Sequence, residues 1–322
     1  MTSHRKKLIE LFEQGAIPVE KIDQALTVMK VFPDSPAWRR FIDQLLLWLG
    51  SLALAFSLLF FIAYNWSEIG RFAKFGMIEA AIVLCIAAYC RFGDSMPGKA
   101  ALLAATICLG VLLAFFGQTY QTGADPWQLF FTWALLMLPW AIIARFPAVW
   151  IVWVALLNIS LILYHQTFRG VFLAGFDSEI ELLWLLFIFN MLAHLAWEFL
   201  ARLRPWLAER WAIRLLAIGA GVPLTWLVLH AIFEGMGKYF LSALIWTAWL
   251  ATMLYLYRRI IPDLFMLAGC CLAGITVSIT FLGRFILDDS SGGGFLLLAL
   301  AVIGMGAGAA VWLKQVHRDF QS

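Results

Sequence analysis

Charge is what this sequence has least of. Only 13% of its residues are Asp, Glu, Lys or Arg, against about 25% in soluble domains. That is too few to cover an ordinary water-facing surface, which excludes a conventional soluble fold. The net charge of +3 is too small to imply nucleic acid, so no nucleic-acid partner is expected. Cysteine is equally sparse. Cys85, Cys90, Cys108, Cys270 and Cys271 all lie in apolar runs, without zinc-ligand or CxxC spacing, so no disulfide framework, metal or other cofactor is expected. Residues 1–37 contain no apolar core and no small-residue cleavage site. They do not read as a secretory signal, and the first apolar run is expected to direct insertion itself. Gly292-Gly293-Gly294 has no following Lys-Ser/Thr and is no phosphate loop; it reads as a flexible loop before the last span.

Apolar residues fill the space that charge leaves. Hydrophobic residues make up 63% of the chain, with 16 Trp, 27 Phe and a mean hydropathy of +0.87. Runs such as Leu45–Tyr64 and Leu296–Leu313 approach or reach the roughly 20 residues needed to cross hydrocarbon. The pattern predicts an all-α, polytopic membrane bundle of about ten helices. The spans are placed near 42–64, 72–90, 99–118, 127–144, 147–164, 180–200, 211–232, 239–257, 262–284 and 294–314. Pro126 and Pro262 fall near span starts, where a missing N–H costs little. Pro139 and Pro223 lie inside spans, where neighbouring helices can re-satisfy the backbone.

The few basic residues are distributed unevenly over alternate connections. One side holds Arg71, Lys74, Arg169, Lys238 and Arg284, and the other holds the remaining 18 of the 23 Lys and Arg. The positive-inside rule places the richer side, and with it both termini, in the cytoplasm. Three parts are expected: a cytoplasmic helical hairpin over 1–37, five spans over 38–165 and five over 166–322. The hairpin expectation rests on Leu8, Ile9, Leu11 and Phe12 before Gly15, then Pro18 with Ile22, Ala25, Leu26 and Met29; each set makes one apolar helix face. It reads as a folded tail or a docking element for a protein partner. Five plus five spans would permit inverted repeats, although the halves do not visibly align.

Polar residues concentrate in two connections on the same face of the membrane. One contains Asn65, Trp66, Glu68, Arg71 and Lys74; the other contains Gln118, Tyr120, Gln121, Asp125 and Trp127. The segments AYNWSEIGRFAKF and FFGQTYQTGADPWQLF, with GAIPVEKIDQAL ahead of them, resemble the bacterial predicted-membrane-protein family called domain of unknown function 2157. The resemblance covers roughly residues 5–165. It implies a bacterial inner-membrane location and carries over no catalytic or ligand residues.

The residues themselves leave three readings of the two connections. They line a site for a small polar or anionic solute, with Arg71 and Lys74 as charge partners and Trp66 and Trp127 as walls. Alternatively they contact lipid headgroups as an interface belt, or tie two hairpins together, with Glu68 pairing Arg71 or Lys74.

Ionisable residues inside spans are costly and functional by default. Glu79 lies about two turns into the second span and reads as a titrating carboxylate or as an acid satisfied by a neighbouring helix. Asn190, His194 and Glu198 recur every four residues and stack on one helix face. They are a proton or polar relay, or an interhelical hydrogen-bonded stripe. Two ligands fall short of a metal site. Gly304 and Gly308 form a GxxxG face expected to pack within the bundle. Asp288-Asp289 and Asp177, Glu179 and Glu181 read as solvated loop acids.

Transport of a small polar or anionic solute ranks first among the functions these features permit. A scaffold or partner subunit of an envelope complex comes next. A membrane enzyme acting on a lipid-linked substrate ranks last, because no nucleophile-and-base spacing is visible.

Overall fold

The computed structural model describes residues 11–12, 18, 26, 35–64, 69–168, 178–235, 239–286 and 292–320. The expected hairpin over 1–37 lies almost wholly outside these residues, as do Asn65, Trp66 and Glu68. The described residues are helical with short connections, and ten helices are long and apolar enough to cross a membrane. We number them α1 (Ser35–Tyr64), α2 (Arg71–Phe92), α3 (Met96–Tyr120), α4 (Pro126–Ala144), α5 (Pro147–Phe168), α6 (Ser178–Leu203), α7 (Arg210–Glu234), α8 (Phe240–Tyr255), α9 (Leu264–Ile286) and α10 (Gly292–Asp319).

Local chemistry sets most of the boundaries. Pro126 opens α4 behind Asp125, and Gly93 closes α2 at a φ of 57° while its N–H donates to the Tyr89 carbonyl. A left-handed residue is nearly free for glycine but strained for a side-chain-bearing one. Arg145 adopts such a conformation, at φ 45°, in the two-residue turn that joins α4 to α5. α1 starts at Ser35, earlier than expected, because hydropathy marks the buried length and not the helical length. Pro139 and Pro223 both lie within continuous helices. Next to the carbonyl that Pro139 deprives of its helical donor, the Trp153 indole donates to the Ala134 carbonyl at 3.1 Å.

α8 runs into one wide π turn, Leu256–Ile260, closed by the Ile261 N–H on the Leu256 carbonyl at 2.9 Å. Such turns recur at functional sites. Gly292, Gly293 and Gly294 are the first turn of α10 rather than a loop. A Cβ on Gly294 would come within 2.9 Å of the Ile286 carbonyl, so the close approach of the first turn of α10 to the end of α9 needs glycine there.

Packing divides the chain into two compact units, residues 1–119 and 120–322. This boundary follows inter-helix packing, whereas the five-plus-five division counted spans. In the first unit α2 and α3 meet through Ile78, Val111 and Phe115, with the Phe75 and Phe115 rings edge to face at 4.5 Å. In the second unit α7 is the central helix: Ile213, Leu216, Ala220, Leu224 and Leu227 are buried among residues of α5, α6, α8 and α9.

The glycines on α7 permit the closest approaches. A Cβ on Gly219 would fall 2.8 Å from the Asn190 Oδ1, and one on Gly221 would fall 2.9 Å from the Trp249 ring. The opposite holds on α10. Gly304 and Gly308 are exposed and a Cβ on either meets nothing within 4 Å. Within the second unit the GxxxG face therefore does not make the close helix contact expected of it.

Candidate functional site

The richest polar cluster sits at the end of the second unit where α6 finishes and α7 and α9 begin. Three sequence features build it. On α6 the four-residue spacing of Asn190, His194 and Glu198 puts all three on the face turned to other helices, spread over about 12 Å of axis. On α7, Arg210 and Arg214 share a face for the same reason. Between the π turn and α9, Asp263 precedes Leu264, and its Oδ1 accepts from the Phe265 N–H at 3.0 Å. That is the position where a carboxylate satisfies donors left open at a helix start.

These groups interlock. The Tyr257 hydroxyl donates to the Glu198 Oε1 at 2.9 Å and lies 3.0 Å from the His194 Nε2. A hydroxyl has one proton to give, so with it on Glu198, His194 must present Nε2–H to the tyrosine oxygen. Arg210 bridges the two carboxylates, with Nη1 on the Glu198 Oε1 and Nε on the Asp263 Oδ2, each at 3.0 Å. Arg214 closes the chain with a two-pronged contact to Asp263, at 3.1 and 3.0 Å. His194, Tyr257 and Asp263 are buried. Burial alone would raise the Asp263 carboxyl; the hydrogen bonds and charges of Arg214 and Arg210 outweigh it and hold the group below the usual carboxylate range. Six side chains thus form one continuous hydrogen-bonded path, able to hold charge at a fixed position and to relay a proton between His194 and Glu198.

Asn190 is not on that path. Its amide exchanges two hydrogen bonds with Asn158 on α5, at 2.6 and 3.1 Å. Nearer the other end of the same helices, His165 on α5 and Glu181 on α6 stand 3.5 Å apart and are both buried. Glu181 is therefore not a solvated loop acid, because α6 begins at Ser178 and its first turn points Glu181 inward. Glu179 is exposed. Asp177 and Asp288-Asp289 lie outside the described residues.

The other expected site residues are placed as follows. Lys74 is buried in the first unit with its Nζ 5.9 Å from the centre of the Phe115 ring, an attractive cation–π geometry. Arg71, Glu79 and Gln118 are exposed, and Arg71 lies over the Phe72 ring at 5.0 Å. In the second unit Tyr120 and Gln121 are exposed and Asp125 is half-buried. Trp127 packs edge to face on Tyr164 at 4.9 Å and beside Phe168 at 6.4 Å. It behaves as part of an aromatic cluster, while Ser160 donates to its carbonyl at 3.1 Å.

Two open grooves flank α9. One, of about 560 Å³, runs between α7, α8 and α9 with Arg214 and Tyr257 at one end and Gly221, Trp249 and Thr276 along it. The other, of about 920 Å³, lies between α8, α9 and α10 with Arg258 and Arg259 at its end. A third, of about 760 Å³, lies between α1, α2 and α3 and is almost wholly apolar. Glu79, Lys74 and Gln118 line none of the three. Among the described residues, no three His, Cys, Asp or Glu side chains are grouped so that they could hold a metal ion.

Reasoning from sequence missed Tyr257, Arg210, Arg214 and Asp263, counting the two arginines only as topology markers and passing over the other two. The usable signal was the four-residue spacing of Arg210 and Arg214, opposite a matching acid on α6 and a carboxylate just ahead of α9. Asn158 carried only an Asn-x-Ser triplet, and His165 carried no distinguishing pattern.

Ten apolar helices with ionisable groups buried between them define a multi-pass α-helical membrane protein. Residues 10–150 match the family described as "Predicted membrane protein (DUF2157)", which bears out the resemblance seen in the two polar connections. The match ends before Asn158, so the network of α6–α9 lies beyond it. No curated protein and no solved structure matches the chain.

Proposed function

We propose that this protein is a transporter of a small polar or anionic solute in the bacterial inner membrane, with both termini cytoplasmic. The observation that carries the reading is the path His194–Tyr257–Glu198–Arg210–Asp263–Arg214. Buried ionisable groups are expensive in a membrane protein and mark solute or proton pathways more often than packing. On this reading the arginine-rich end of the second unit faces the cytoplasm, as the distribution of Lys and Arg suggests. His194 and Glu198 then exchange a proton through the Tyr257 hydroxyl when the solute's charge reaches Arg210 or Arg214. Polar groups of the first unit, Arg71 and Gln118 among them, would meet solute at the opposite face. Trp66 and Trp127 would contribute to the interface with lipid.

A role as scaffold or partner subunit is the second reading. It is favoured by α10, whose glycine face is open and whose most apolar stretch is nowhere buried.

Reconstituted full-length protein on a solid-supported membrane separates the two. Concentration jumps of small anions, sugars and amino acids would be applied at about pH 6 and about pH 8, either side of the histidine range. At least one solute should produce a current that changes with pH, and Glu198→Gln should remove the pH dependence. Silence for the whole panel at both pH values would overturn the transport reading.

A further inference from the structure

The groove between α8, α9 and α10 joins two kinds of surface. Its walls are apolar over their length: Leu250 and Leu254 from α8, Ile275 from α9 and Met305 from α10. Gly274 and Gly308 give it depth, because neither carries a side chain and a Cβ on either meets no atom within 4 Å. At one end the surface changes abruptly to Arg258 and Arg259. The Arg258 guanidinium sits over the Trp312 ring at 5.4 Å, the pairing of indole with cation found at membrane interfaces.

Length and charge narrow the occupant. Trp246 and Arg258 are both in the groove lining, and at about 1.5 Å per residue they are roughly 18 Å apart along α8 and its π turn. One leaflet of hydrocarbon is about 15 Å deep. The groove therefore matches a single acyl chain lying along the helices, with its polar end level with the arginines. Lys314 and Arg318 follow on α10 at that end, and Asp319 is the only acid in the last turn of α10. Asp319 reaches Arg258 at 4.0 Å, with both side chains well exposed, a pairing too weakly held to neutralise the patch. Basic pockets between transmembrane helices select anionic headgroups by this combination.

The backbone explains why the arginines are presented there. In the π turn the Tyr257 ring is fully buried and the next two residues turn outward. The same wide turn thus supplies Tyr257 to the buried path and Arg258 and Arg259 to the open groove.

We propose that this groove is a binding site for an anionic phospholipid, its phosphate held by Arg258 and Arg259 and one acyl chain lying over Gly274 and Gly308. The proposal does not depend on transport, and its test reads lipid binding alone. Native mass spectrometry of the full chain, released from micelles with equal amounts of phosphatidylglycerol and phosphatidylcholine, measures the preference directly. Wild type should retain phosphatidylglycerol at least fivefold more than phosphatidylcholine. Arg258→Gln/Arg259→Gln should reduce that ratio at least threefold, with Arg258→Lys/Arg259→Lys restoring most of it. Gly274→Leu, which fills the groove and leaves both arginines, should lower retention of the diacyl lipid.

Three results would overturn the proposal. Wild type could show no preference, which needs no variant to interpret. Inorganic phosphate could displace the lipid completely at millimolar concentration, which would make the site one for a free anion. Gly274→Leu or Gly308→Leu could convert an oligomer to a monomer on size exclusion without altering lipid retention, which would make the groove an interface between copies of this chain.

Discussion

Asn158 on α5 and Asn190 on α6 donate to each other's side-chain oxygens, at 2.6 and 3.1 Å, and each also donates to a carbonyl one turn back in its own helix. Away from water, an amide that loses its partner has little to replace it with. Alanine at either position should therefore destabilise the protein, and the double replacement should cost less than the sum. A coupling energy of about 1 kcal/mol is expected, in the range measured for interhelical hydrogen bonds in membranes. Reversible unfolding in mixed detergent micelles measures it, and strictly additive losses would show that the pair contributes nothing as a pair.

Gly219 and Gly221 face the tightest approaches on α7. Gly219→Ala drives a methyl against the Asn190 amide, which Asn158 holds in place, and Gly221→Ala drives one against the Trp249 ring. Each should cost about 1–3 kcal/mol by overpacking. Gly304→Ala and Gly308→Ala meet open space and should stay within about 0.5 kcal/mol of wild type. Thermal midpoints of the four variants in one detergent test the contrast.

Tyr257 joins His194 to Glu198 through one hydroxyl. Tyr257→Phe keeps the buried ring and removes that oxygen, so its cost reads the hydrogen bonds alone. About 1–3 kcal/mol is expected from stranding a buried polar group. Tyr255→Phe, at an exposed position two residues earlier, should be nearly silent. Equal effects from the two substitutions would remove the hydroxyl from any special role.

Asp263 titrates below its ordinary value because Arg214 and Arg210 hold its ionised form. A carboxyl depressed on folding stabilises the protein above its unfolded pKa, near 4, and that stabilisation is lost as pH falls through the lower folded value. Between about pH 5 and about pH 2 the wild-type thermal midpoint should therefore fall. Asp263→Asn should start lower at neutral pH and show a shallower acid decline. Parallel acid limbs for the two proteins would contradict the assignment.

Glu181 and His165 are buried together at 3.5 Å. Removing one member of a buried polar pair strands the other, at about 1–3 kcal/mol. Glu181→Ala should approach that cost and Glu181→Gln, which keeps an acceptor, should cost less. Glu179→Ala, two residues earlier and exposed, should change the unfolding midpoint little.

The spans were legible because hydrocarbon thickness and backbone satisfaction impose a long, uninterrupted apolar run, and such a run is visible in one dimension. All ten expected spans correspond to helices in the structure, with the largest difference at the start of α1. The stacking of Asn190, His194 and Glu198 was legible for the same kind of reason, since a four-residue repeat fixes a helix face whatever lies opposite. Their partners were not. Asn158, Tyr257 and Asp263 come from three other elements, and no local pattern says which helices adjoin. Arg210 and Arg214 were hidden by their other use, because a basic residue at a span end satisfies the topology rule whether it faces water or a buried acid. Glu181 was misread for want of a boundary: it stood at the very edge of the expected span 180–200 and was grouped with Asp177 and Glu179, and only the start of α6 at Ser178 decides that it turns inward.

By itself, then, the sequence determined that this is an all-helical membrane protein of ten spans, because scarcity of charge and length of apolar runs leave no other way to satisfy the backbone. Tertiary structure decided which buried polar groups meet and that the α10 glycines stay open. It also decided that one π turn presents Tyr257 inward and Arg258 and Arg259 outward. Those outcomes depend on which helices adjoin and how each is rotated, and both are set by packing between residues distant in the chain.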